Sequence, residues 1–174
     1  MASETDPACA VAHGADDDPT FTRTLVAVFA SPVASFLLRY GRDLGYRTVL
    51  FEPDPARAKE VGAEPDVVVT AILPALDGDT DVVVTDHHRP ELGPALRDVL
   101  AQPVRWAGVM GNPRHEGPHV EALRSLGVPQ ADVDRVHRPI GLDIGSRRPA
   151  EIAIATLAGL IADRNTRPGG FFSR

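Results

Sequence analysis

The sequence has one cysteine, one lysine and no long apolar run, and each shortage excludes a class of protein. Cys9 has no intrachain partner, so no internal disulfide holds the fold and nothing points to an oxidising compartment. No stretch reaches the roughly 18 consecutive apolar residues that cross a bilayer. The N-terminus also lacks the basic-then-apolar order of a signal peptide, so a cytoplasmic protein with no membrane partner is expected. Lys59 is the only lysine among 18 basic residues, which removes most candidates for a catalytic lysine. Excess positive charge is absent too. Of the formal net charge of −6, residues 1–20 hold −5 through Glu4, Asp6, Asp16, Asp17 and Asp18, leaving the remainder nearly neutral. Such a surface offers no basic footprint to nucleic acid or anionic lipid, and residues 1–22 read as a disordered acidic leader.

What is present suits a single folded domain. The 174 residues are 43% hydrophobic and 24% charged, an ordinary globular composition at a length that favours one core. The domain is expected over residues 23–165, with 166–174 as a flexible tail.

Along the chain, apolar β-branched runs alternate with helical periodicity. Residues 24–30 form a short apolar run, as a strand buried on both faces should. Ser31 and Pro32 then supply an N-cap and a first helical residue, and Val33, Phe36, Leu37, Tyr40 and Leu44 recur at helical spacing until Gly45. A second strand at 47–51 ends at Glu52. The alternation continues with a short helix near 55–61, strands at 67–70 and 81–85, a helix over 94–101 and a strand at 104–110. A helix beginning within 113–119 and ending at Gly127 follows, then an ordered loop over 137–148 and a final buried helix at 149–164. The link between the strands at 67–70 and 81–85 is short for a crossover. This order predicts an α/β fold, a doubly wound, mostly parallel, Rossmann-like sheet in three layers. Ligands of such sheets sit outside the carboxyl ends of the strands, where strand order reverses. Three loops fall there: 30–33, 85–89 and 111–114.

The first loop stands where a dinucleotide fold would carry G-x-G-x-x-G. It reads Phe29-Ala30-Ser31-Pro32-Val33-Ala34 and lacks the first two glycines. Glu52 follows at the distance of a ribose-binding acid, and a helix N-terminus beside the Ser31 hydroxyl favours an anion. His115-Glu116-Gly117-Pro118-His119 matches the string of a zinc protease, but that motif needs a continuous helix and Gly117-Pro118 breaks it. Thr85-Asp86-His87-His88 ends a parallel strand at the ligand edge. It would need partners from other loops to hold a metal, and no metal site is expected.

The segments Asp81-Val-Val-Val-Thr-Asp-His-His88, Trp106-Ala-Gly-Val-Met-Gly111, Arg135-Val-His-Arg-Pro-Ile-Gly-Leu-Asp-Ile-Gly145 and Pro149-Ala-Glu-Ile-Ala153 resemble the C-terminal Rossmann domain of the XdhC/CoxI family. Those proteins are accessory factors for xanthine dehydrogenase and related molybdenum hydroxylases. The resemblance implies a cofactor-binding accessory protein rather than an independent catalyst. Its members bind molybdenum cofactor, help it acquire its terminal sulfur with a cysteine desulfurase, and deliver it to the apo-enzyme. Carried onto this chain, it implies ligand contacts at Thr85, Asp86 and His88 and at Gly111, Asn112 and Arg114, with Ser31 facing the phosphate. The family's glycine-rich Gly-Ala-Gly-His-Val-Ala becomes residues 29–34 here, one basic residue of a usual pair is kept at Arg114, and the family's separate N-terminal domain with its cysteine has no counterpart in residues 1–22. His137, Asp143 and Glu151 suit structural roles in the loop and at the start of the last helix. Two other readings stand beside the resemblance: an NAD(P)-binding oxidoreductase or nucleotide sensor using Glu52, and a ligand-free scaffold or interaction domain. Assembly as a homodimer is left open.

Overall fold

A computed structural model describes residues 23–60, 67–111 and 117–171. The expected leader at 1–22, the last three residues of the expected tail, and Asn112, Arg114, His115 and Glu116 lie outside those residues. Six strands form one sheet: β1 (Thr24–Val28), β2 (Arg47–Phe51), β3 (Val67–Thr70), β4 (Thr80–Val84), β5 (Trp106–Val109) and β6 (Val136–His137). The helices are α1 (Pro32–Asp43), α2 (Pro55–Glu60), α3 (Leu92–Leu100), α4 (Pro118–Ser125), α5 (Gln130–Val133) and α6 (Pro149–Arg164). The strand order is β3-β2-β1-β4-β5-β6, and every pair is parallel. The fold is the doubly wound α/β sheet that the alternation predicts, with its reversal between β1 and β4.

The period-2 pattern of the strands builds the three layers. Leu25 and Ala27 of β1 join Ala34 and Leu37 of α1 and Ala153, Leu157 and Leu160 of α6 on one face. Val26 and Val28 turn to the opposite face, with Leu92, Leu96 and Val99 of α3 and Leu123 of α4. Right-handed crossovers wind β1-α1-β2 and β4-α3-β5 in opposite directions across the sheet, which puts α1 and α3 on opposite faces.

Where the observed bounds differ from the sequence pattern, the reason is local. The first strand stops at Val28, not at Ala30, because Phe29 turns into the left-handed region at φ 73°. The third helix begins at Leu92 and not Pro94, which sits within its first turn. The short link at 71–79 carries no helix among its described residues. It leaves edge strand β3 and reaches β4 on the far side of β1, over two strands. Nine residues reach at most about 30 Å, and the return needs only about 22 Å. Leu76 of the link is buried in the α3-side core. Strand β6 and helix α5, too short for a periodic pattern, break up the region between the fourth helix and the loop.

At the amino ends of the strands a polar cluster is buried. Asp81 is fully buried and accepts hydrogen bonds from Tyr46 Oη at 3.1 Å and from Arg105 Nε. Arg105 also pairs with Asp163 of α6 at 2.8 Å, which ties the last helix to the sheet. Burial chiefly, and then the Asp81 carboxylate, push the Tyr46 hydroxyl above its ordinary value.

Candidate functional site

The carboxyl ends of the strands carry a crevice of about 710 Å³, within the range of small-molecule and cofactor sites. Its walls come from five places: Val33 of α1, Thr85 and His87 after β4, Met110 and Gly111 after β5, residues 139–146 after β6, and Ile152, Ala155 and Thr156 of α6. Most of these residues lie in the segments that carry the family resemblance. The lining is largely apolar, with Thr85, His87, Asp143 and Ser146 as convergent polar groups.

The loop after β6 is positioned by glycine. Gly141 adopts φ 84°, and a Cβ there would lie 3.1 Å from the Ala155 carbonyl carbon. Only glycine satisfies the left-handed backbone and the close approach together. The Leu142 N–H then donates to the Ala155 carbonyl at 3.0 Å, docking the loop on α6. Glu151 fixes the other end by accepting from the backbone N–H of Arg147 and Arg148 at 3.1 and 3.2 Å. These bonds hold its carboxyl below the usual value. His137 stacks on Trp106 with ring centroids 5.0 Å apart.

Thr85 joins the crevice to the first loop. The Ser31 hydroxyl accepts from the Ala34 N–H at 3.0 Å, capping α1, and donates to Thr85 Oγ1 at 2.9 Å. Thr85 in turn donates to the Phe29 carbonyl at 2.8 Å. His87 faces the crevice, whereas His88 is exposed and packs against it in a tilted arrangement with ring centroids 4.1 Å apart. Asp86 accepts from the His88 N–H at 2.9 Å, closing a tight turn. Burial, then the positive surroundings of His88 and Arg138, lower the affinity of His87 for a proton and keep its imidazole neutral near pH 7. Arg138 lies against Gly111, where a Cβ would come within 2.7 Å of its Nε. It brings positive charge to this rim.

On the other side of β1 the arrangement is different. Glu52 is fully buried, and Arg89 grips it from two nitrogens at 2.8 and 3.0 Å. The Ala30 and Asp54 N–H groups donate to the same carboxylate at 2.8 and 3.1 Å. Burial alone would raise the Glu52 carboxyl, but these four donors outweigh it and hold the group below its ordinary value. Arg89 also bonds Glu91 and lies 4.7 Å above the Phe29 ring, in cation–π geometry. Its side chain is 5% exposed, and Phe29 is fully buried.

The structure therefore brings together Thr85, Ser31 and Gly111 of the sequence candidates and places Glu52 away from them in the interior. Sequence reasoning placed His87 and Arg89 in the ligand-edge loop 85–89 without assigning either a role, and read 137–148 only as an ordered loop and not as a crevice wall. Gly141 and Gly145 were the available signal for the wall. His119, at the start of α4, is buried, and burial followed by the charge of Arg138 lowers its proton affinity. The described helix α4 begins at Pro118, and His115 and Glu116 of the zinc-protease string lie outside the described residues. Among the described residues, no three His, Cys, Asp or Glu side chains gather as a metal site, and no helix is long and apolar enough to cross a membrane.

Comparison with known proteins bears on this geometry. The family model of the XdhC Rossmann domain matches residues 25–160. Among curated proteins, the uncharacterized protein YqeB of Escherichia coli (strain K12) is 35% identical over 80 residues, which is 46% of this chain and 15% of that protein. A crystal structure described as a xanthine dehydrogenase (BH1974) from Bacillus halodurans shares the fold, with a TM-score of 0.65 at 24% identity over 84% of this chain and 44% of that one. The chain thus spans less than half the length of either relative. With the family model covering the sheet from β1 and reaching into the crevice helix α6, the chain belongs to the XdhC Rossmann-domain family.

Proposed function

We propose that this chain is a cytoplasmic accessory protein for the maturation of a molybdenum hydroxylase, holding molybdenum cofactor or a related nucleotide in the crevice beside β4, β5 and β6. The observation that carries the reading is the crevice itself, whose walls come mostly from the segments that mark the family. A planar heterocycle with a hydrogen-bonding edge fits this lining. Met110, Ile140 and Leu142 offer apolar faces and Thr85, His87 and Asp143 offer polar groups, while Arg138, packed behind Gly111, makes the rim positive toward a phosphate. Cys9 is the chain's single thiol, so the reading is carriage through the organic part of the cofactor, with the sulfur-inserting chemistry left to a cysteine desulfurase partner. The apo-hydroxylase is the proposed recipient. Thr85 and neutral His87 would orient the bound ring, and the docked 139–146 loop would exclude water from one side of it.

The test is a thermal-shift panel with molybdopterin, its cytosine dinucleotide and NADPH, joined to an assay of hydroxylase activity in cells lacking the chain. A ligand at about 100 times its dissociation constant stabilises the folded state by about 2.7 kcal/mol. A raised midpoint with a molybdopterin species and a loss of hydroxylase activity are expected. No shift and unchanged activity would overturn the reading. A scaffold role has one observation in its favour: the first-loop groups that would meet a phosphate are bonded within the chain.

A further inference from the structure

In a dinucleotide-binding Rossmann fold, the first loop offers backbone N–H groups to the pyrophosphate, glycine lets the ligand approach, and the acid ending β2 takes the ribose hydroxyls. Here those groups are committed to one another. The Ala30 N–H of the first loop donates to the Glu52 carboxylate. Arg89 closes over the same carboxylate from the β4 side. Phe29 stands where the family has its first glycine; it keeps the backbone that suits glycine, at φ 73°, yet fills the approach with a fully buried ring. Arg89 seals that ring from above. A ribose entering this half would have to displace Arg89 and leave a buried carboxylate without its counter-ion, a larger loss than hydroxyl hydrogen bonds return.

We infer that the domain is one-sided: Phe29, Glu52 and Arg89 are specificity-determining residues that close the β2 side of the carboxyl edge. They confine the ligand to the β4–β6 side and so select a single-lobed compound, one ring system with one phosphate, against dinucleotides. The occupied half rests on the proposed function above; the closed half stands on geometry alone.

Two readouts on the wild-type chain test the parts separately. In ligand-free protein, the Ala30 and Asp54 amides are expected to exchange hydrogen at least 100-fold more slowly than unprotected amides; exchange at the unprotected rate would overturn the closed half. By calorimetry, molybdopterin is expected to bind at least tenfold more tightly than molybdopterin cytosine dinucleotide or NADH. Equal or tighter binding of either dinucleotide would overturn the selectivity while leaving the carrier function in place. Protected amides with no binding of any of the three would overturn the carrier function and uphold the closed half. Phe29→Gly, which restores the residue suited to this backbone and removes the ring, is expected to narrow the tenfold ratio to within threefold.

Discussion

The two halves of the sheet's carboxyl edge, on either side of β1, share one topology and are finished in opposite ways. Toward β4, β5 and β6 the loops stand apart around a crevice, held open by a glycine contact between Gly141 and α6. Toward β2 the equivalent space is filled by Phe29 and the Glu52–Arg89 pair, all buried. A doubly wound sheet thus provides two neighbouring places for a ligand, and side chains alone decide which survives. The Glu52–Arg89 pair occupies the ground where an extended ligand's second half would lie.

Breaking the closed half should have the largest effect. Arg89→Ala leaves Glu52 buried without its counter-ion and is expected to cost about 3–5 kcal/mol, read by urea unfolding. The double variant Glu52→Gln/Arg89→Met should recover most of that loss. Equal damage in the single and double variants would show that the pair is not the source. The same pair sets an acid sensitivity. Because the folded Glu52 carboxyl lies below its ordinary value near 4.5, its stabilisation is present above about pH 4.5 and drains away as pH falls through the folded value. Glu52→Gln should flatten that part of the stability profile.

Phe29 sharpens the comparison further. Removing its ring should destabilise the chain by about 3 kcal/mol in Phe29→Ala, whereas Phe29→Gly should be the more stable of the two by about 1 kcal/mol, since alanine keeps the left-handed strain. The reverse order would contradict the assignment of strain to this residue. On the open side, Gly141→Ala is expected to cost about 1–2 kcal/mol from backbone strain and the contact with Ala155, and to loosen the 139–146 wall, seen as faster exchange of the Leu142 amide. The smallest effect belongs to Thr85→Val, about 1 kcal/mol for the bonds it makes to Ser31 and the Phe29 carbonyl.

Much of this scaffold was legible in the sequence. The second and third strands and the last helix have the bounds that their apolar runs and turn residues predict, and Ser31 caps α1 as its position before Pro32 implies. Two-residue β6 was not legible, because a strand that short has no period to read. The closed half was hidden for another reason. Glu52 and Arg89 are 37 residues apart, and only parallel pairing of β2, β1 and β4 brings their loops together, so the pattern showed an acid at the ribose position but not the arginine that pairs with it. Nor could the pattern tell His87 from His88, since the turn after β4 decides which ring meets the crevice. The absence of glycine at Phe29 was visible, but the buried ring lying under Arg89 was not.

One titration tests the two-sided contrast most directly: amide chemical shifts of the isotopically labelled chain followed as molybdopterin is added. Shifts are expected at Thr85, His87, Gly111 and the amides of 141–146, with Ala30, Glu52 and Asp54 unmoved. Shifts centred on Ala30, Glu52 and Asp54 would contradict the account.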